Sequence, residues 1–137
     1  MRILAAVVVV GLVIPTVSAA QERWVAATQN SEAGIYFGFG PDVDTAIARS
    51  ERACKRVSRT CTVRGDSPEF KHSGATNDMS WVFTLLCCST PRFACTNAVG
   101  PSVDDAHRIT MKIAGDAGFT NCRSRGDFSA SNGKRLK

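Results

Sequence analysis

Hydrophobic positions first alternate and then recur at three- and four-residue steps, and the chain makes this switch twice. Ile35, Phe37 and Phe39 alternate with Tyr36, Gly38 and Gly40, the pattern of a half-buried strand. Residues 24–28 predict a partner strand, joined to it through the turn Asn30-Ser31-Glu32-Ala33-Gly34. Val43, Ala46, Ile47, Ser50, Ala53, Cys54 and Val57 then fall at helical spacing and predict one buried stripe. Asp42, after Pro41, is placed to cap that helix, because its carboxylate accepts otherwise unpaired backbone N–H groups. Residues 60–64 predict a third strand.

The order then returns. Residues 79–88 predict a longer strand with Trp81, Phe83 and Leu85 on one face, and Ser89-Thr90-Pro91 a turn. Residues 93–99 predict the next strand, and Ser102 a cap for a helix with the stripe Val103, Ala106, Thr110, Ile113, Ala114 and Ala117. Asp105, three residues after Ser102, resembles a capping box, and Gly118 is placed as the stop. Residues 121–125 close the second unit, and residues 128–131 predict one more strand.

Short motifs mark the same duplication. Gly40-Pro41-x-Val43-Asp44-x-Ala46 returns as Gly100-Pro101-x-Val103-Asp104-x-Ala106, and Cys61-x-x-Arg64-Gly65-Asp66 as Cys122-x-x-Arg125-Gly126-Asp127. Trp24-Val25 and Trp81-Val82 open the two copies. A chance match of turn and cap motifs is the competing explanation. The expected fold is α+β, two similar strand-strand-helix-strand units over residues 23–66 and 80–127, packed as one disulfide-stapled domain. Residues 66–78 read as a polar linker within that domain, since neither half is large enough for an independent core.

The start of the chain reads as a signal peptide over residues 1–20. Arg2 supplies a positive start, residues 3–14 an apolar run, Pro15 a break and Val17-Ser18-Ala19-Ala20 a small-residue cleavage region. A membrane anchor needs roughly 17 to 25 apolar residues, and this run is shorter. The mature part, residues 21–137, is then expected to be exported, periplasmic or secreted, with no transmembrane segment. All six cysteines lie in it: Cys54, Cys61, Cys87, Cys88, Cys95 and Cys122. An even count in an exported chain signals disulfides. Cys54 and Cys61 are spaced for a staple between a helix end and the next strand, leaving two pairs among the other four cysteines. Zinc is the rival reading, but C-x(2–4)-C spacings are missing and His72 and His107 stand apart. No C-x-x-C motif accompanies Cys87-Cys88, which weakens a redox reading.

The formal net charge is +5. Arg49, Arg52, Lys55, Arg56 and Arg59 fall on the first helix, and Lys134, Arg135 and Lys137 form a basic C-terminal tail. Such patches attract polyanions, whether lipid headgroups, cell-wall polymers or nucleic acid, or are merely a solvated helix face with a disordered tail. No aromatic residues interleave with the helical arginines, so nucleic acid is not the expected partner.

Trp24-Val25-Ala26-Ala27, then Gly34-Ile35-Tyr36-Phe37-Gly38, then Ala46-x-x-x-Ser50-x-x-Ala53-Cys54-x6-Cys61-x-Val63, resembles the small exported bacterial domain DUF4189. The resemblance covers residues 23–63 and thins over residues 81–125, where Cys87-Cys88 departs from the pattern and the helix end lacks a cysteine. It implies an exported bacterial α+β protein and brings no catalytic residues or cofactor.

Candidate chemistry is sparse. The two Arg-Gly-Asp tripeptides suggest integrin recognition, but a turn after each strand explains them with fewer assumptions. His107 lies near Asp104 and Asp105, yet no nucleophile elbow accompanies it. Asp42, Asp44, Asp104 and Asp105 sit at helix starts, where the dipole favours them. The expectation is therefore a binding module of the envelope or extracellular space, with Arg49, Arg52, Lys55 and Arg56 as the contact surface. No cofactor is expected, and the partner is an unknown protein or an anionic envelope polymer. The alternatives are a small envelope enzyme using His107, or a cationic secreted effector.

Overall fold

A computed structural model of the chain describes residue 11, residues 23–64 and residues 74–136. The leader expected over residues 1–20 (Gly11 aside), Gly65, Asp66, His72 and Lys137 lie outside the described residues. The alternating segments form strands β1 (Trp24–Gln29) and β2 (Ile35–Gly40), followed by helix α1 (Val43–Lys55) and a short β3 (Gly74–Thr76). The second pass gives β4 (Val82–Thr90), β5 (Ala94–Gly100), α2 (Val103–Asp116) and β6 (Thr120–Ser129). The fold is α+β, and the two units share one topology. Their sheets run β2-β1-β3 and β5-β4-β6, each with the first strand of its unit in the centre.

Strand alternation builds the layers. Val25 and Ala27 point to one side of β1 and meet Phe83, Leu85 and Cys87 of β4 in the core between the sheets. Ala26 points the other way, onto Ala46 and Ile47 of α1. Leu86 and Cys88 point onto Ala114 of α2 and Phe119. The order is helix, sheet, sheet, helix. Phe37 completes the inner layer, edge-on to Phe83 with centroids 5.3 Å apart and 5.8 Å from Phe128. Asn97 crosses the layer, donating from Nδ2 to the Ala27 carbonyl at 3.2 Å and to Gln29 Oε1. On the outer side, the Thr28 and Ser50 hydroxyls lie 2.7 Å apart and tie β1 to α1.

The helix boundaries follow their caps. Asp42 accepts from the Thr45 N–H at 2.7 Å, and Ser102 from the Asp105 N–H at 3.1 Å. The Asp105 carboxylate accepts in return from the Ser102 hydroxyl at 2.8 Å. Gly118, with φ of 82°, ends α2, and the Phe119 N–H reaches back to the Ala114 carbonyl at 3.0 Å.

Several expectations need correction. The third strand of the first unit is not residues 60–64. Among the described residues, Cys61 makes a single bridge to Asn30, and the next ladder pairs are those of β3, inside the segment expected to be linker. Val25 pairs with Thr76 as Phe83 pairs with Phe128, so β3 corresponds to the end of β6. Cys61 and Gly74 are thirteen positions apart, where Cys122 and Gly126 are four apart. The first unit therefore has nine more positions between these two points than the second, and no local pattern could reveal where β3 pairs. The tryptophans are not equivalent either: Trp24 pairs with Gly40, whereas it is Val82 that pairs with Gly100. Trp24 accordingly packs on the α1 side and Trp81 in the inner layer, a one-residue offset reversing the face.

Val57, placed on the buried stripe, is 70% exposed, because α1 ends at Lys55. Residues 128–131 are not a separate strand. β6 runs on to Ser129, and the basic tail folds back to pair Arg135 with Phe128. Arg125-Gly126-Asp127 is not a turn but part of β6, where the Asp127 carboxylate accepts from the Thr84 hydroxyl at 2.7 Å. Gly126 has φ of 141° at the bulge opposite Leu85, and the Arg135 guanidinium crosses it to the Arg125 carbonyl at 2.8 Å.

All six cysteines are paired, as Cys54–Cys61, Cys87–Cys95 and Cys88–Cys122. Adjacent residues of a strand face opposite sides, so Cys87 and Cys88 cannot serve one partner. Cys87 meets its register partner Cys95 on β5 in the inner layer, and Cys88 meets Cys122 on β6 under α2. Cys61 and Cys122 occupy equivalent places, opposite Asn30 and Cys88. Their partners differ because Ala114 stands in the second helix where Cys54 stands in the first.

Candidate functional site

The expected basic face divides on the structure. Arg49, Arg52 and Arg56, at steps of three and four, form one exposed stripe beside the buried face of α1. They line a cleft of about 400 Å³ between α1 and β2, with Phe37, Gly38 and Phe39 on its other wall. Gly38 makes this possible by bringing the strand close: a Cβ there would lie 2.7 Å from the Arg49 carbonyl carbon and closer still to Ser50 N and Ala46 O. Arg49 donates to the Phe39 carbonyl at 2.6 Å, and the Arg23 guanidinium lies 4.4 Å from the Phe39 ring centroid. Among the described residues, Arg49, Arg52 and Arg56 have no carboxylate partner within ion-pair distance.

Lys55 does not belong to this cleft. It shares a helical line with Asp44 and Glu51, on the flank held by Arg64. Arg64 pairs with Asp44 at 2.8 Å and donates its backbone N–H to Glu51 at 2.7 Å. The carboxylates of α1 are thus engaged away from the arginine stripe. Asp42 at the helix start is held below its ordinary value, first by the Thr45 N–H and also by the Arg49 charge.

The internal duplication offers a comparison. The equivalents of Arg49, Arg52 and Arg56 in α2 are Ile109, Lys112 and Asp116, and Lys112 is bound to Asp116 at 2.8 Å. The same helix in the same topology does without free cationic groups there, so the fold does not require the arginine stripe.

Other candidates fare differently. His107 is half-buried on α2 and has no hydrogen-bond partner among the described residues. Its neighbour Asp105 is engaged by Arg108 at 3.0 Å and by Ser102, which hold its carboxyl below the ordinary value. The six cysteines are all paired as disulfides.

A second basic region was missed by the sequence reading. A cleft of about 540 Å³ lies at the end of the second sheet, where Arg123 and Arg125 of β6 face Phe93. Its signal in the sequence was only two arginines two positions apart, Arg123 and Arg125. Only the fold brings Phe93 to it.

Among the described residues no helix is long and apolar enough to cross a membrane. Set against family models, curated proteins and solved structures, the chain finds no match in any of the three.

Proposed function

We propose that this chain is an exported, disulfide-stapled binding module, and that its contact surface is the cleft between β2 and α1. Its partner carries clustered negative charge, as an acidic protein surface or an anionic envelope polymer. The observation that carries this reading is the stripe Arg49, Arg52 and Arg56, which lines a cleft without carboxylate partners and has no cationic counterpart set in α2. Guanidinium groups without carboxylate partners in a concave surface offer planar, multiple donors to carboxylate, phosphate or sulfate oxygens. Lys55, off the cleft, adds only long-range attraction. Three disulfides fit an oxidising compartment, consistent with the leader expected over residues 1–20. The DUF4189 likeness of residues 23–63 points to the same setting.

The test is retention of isolated envelope polymers and envelope proteins on the immobilised oxidised chain. The triple variant Arg49→Glu, Arg52→Glu, Arg56→Glu should lose more than about a hundredfold in affinity, since each charge-assisted contact contributes about 1.5 to 3 kcal/mol. Binding by the parent should also weaken as salt rises. Equal retention by parent and variant, with all three disulfides intact in both, would refute the assignment.

A further inference from the structure

The geometry points to a second, independent ligand site in the cleft at the end of the β5-β4-β6 sheet, built for a planar aromatic anion. Phe93, which precedes β5, is 44% exposed and forms one wall. Arg123 and Arg125 of β6 stand on the other side, with the Arg125 guanidinium carbon 5.9 Å from the Phe93 ring centroid. Among the described residues neither arginine has a carboxylate partner, and no acidic residue lines the cleft. Cys87, Cys88 and Cys122 also line the cleft, and their two disulfides hold the strand ends together.

Each part suits one feature of such a ligand. A ring inserted beside Phe93 gains an aromatic face and, from Arg125, a cation over its own face. A carboxylate or phosphate on that ring finds guanidinium donors in Arg123 and Arg125. The site is also held rigidly. β4 is cross-linked to both of its neighbours, through Cys87 to β5 and through Cys88 to β6, so little ordering accompanies binding.

The β6 irregularity places the second charge. Leu86 pairs with Ser124 and Leu85 with Gly126, leaving Arg125 as the extra residue of a bulge, a device that re-aims a side chain. Asn121, at the mouth, has φ of 56° and donates from Nδ2 to the Thr90 hydroxyl at 2.9 Å, while its carbonyl accepts from the Ser89 hydroxyl at 3.4 Å. The strand end is thereby pinned to the turn that carries Phe93. The scaffold itself does not demand these side chains: at the equivalent places in the first unit stand Ala33 for Phe93 and Thr62 for Arg123.

Calorimetric titration of the oxidised chain with naphthalene-2-carboxylate tests the assignment, against naphthalene-2-carboxamide for charge and cyclohexanecarboxylate for the aromatic face. One saturable site is expected, with both analogues at least about tenfold weaker. Phe93→Ala and the pair Arg123→Gln, Arg125→Gln should each weaken the carboxylate by a similar factor. All these positions are exposed or partly exposed, and intact mass with three disulfides verifies folding of each variant. Arg49→Gln, Arg52→Gln, Arg56→Gln should leave this binding unchanged, which separates the site from the α1 cleft. Absence of saturation, equal affinity for cyclohexanecarboxylate, or loss only in the α1 variant would each overturn the proposal.

Discussion

Gly38 shows how one missing side chain sets the geometry of the α1 cleft. The helix backbone at Ala46, Arg49 and Ser50 occupies the volume that a Cβ would take, and backbone cannot swing aside as a side chain can. Gly38→Ala should therefore cost about 3 kcal/mol, the upper range for overpacking. The structural equivalent in β5 is Ala98, which is buried, and Ala98→Gly should cost only about 1 kcal/mol. Urea midpoints of the two variants check the asymmetry; equal losses would mean that α1 can retreat from β2. Asp42 supplies a prediction in pH. Its carboxyl, held below the ordinary 3.8 by the Thr45 N–H, binds a proton less readily folded than unfolded. Its contribution is fully present above pH 3.8 and is lost as pH falls through the lowered folded value. Asp42→Asn keeps an acceptor but cannot titrate, so stability followed by urea melts from pH 5 to pH 2 should fall less steeply than in the parent. Identical slopes would show that the cap does not contribute to acid unfolding.

At the scale of elements, the disulfides act unequally. Cys54–Cys61 closes a separation of 7 residues between the end of α1 and the following segment, whereas Cys88–Cys122 closes 34 and spans β4, β5 and α2. Chain entropy alone assigns about 2.5 kcal/mol to the first and about 4 kcal/mol to the second. Cys88→Ala with Cys122→Ala should therefore lower the urea midpoint more than Cys54→Ala with Cys61→Ala, since Cys54 and Cys88 are both buried and loop length is what distinguishes the two pairs. The reverse ranking would mean that the end of α1 depends on its staple more than the second sheet does. Ser102→Ala should cost about 1 kcal/mol through loss of the α2 cap, measured the same way.

For the molecule as a whole, the inner layer is shared property. Val25 and Ala27 from the first unit close over Phe83, Leu85 and Phe128 from the second, and Phe37 packs against two of these rings. Either unit alone would leave a continuous apolar sheet face in water. A chain limited to residues 80–136 should consequently show no cooperative unfolding as a monomer, with strong binding of a hydrophobic dye. Cooperative unfolding of that monomeric fragment would mean that α2 and its sheet suffice as a core. The second cleft also belongs to this scale, since it joins Phe93, before β5, to Arg123 and Arg125 of β6 across the whole of α2.

Periodicity and caps were readable one residue at a time. Asp42, Ser102 and Gly118 act through bonds to residues three to five positions away, and the stripes of α1 and α2 repeat within each helix. The strand-strand-helix order at the start of each unit and the Cys54–Cys61 staple were legible for the same reason: their interactions are short-range in sequence. What the sequence by itself determined is thus the α+β class, the repeat, the helix starts and the basic stripe. Tertiary structure decided where long-range pairing falls. It set the third strand of the first unit at β3, offset Trp24 from Trp81, and sent Cys87 and Cys88 to different partners on opposite faces. It also separated Lys55 from the arginines and set Phe93 opposite Arg123 and Arg125. The physical reason is that strand register and face depend on which distant segment pairs alongside, and local pattern carries no record of that neighbour.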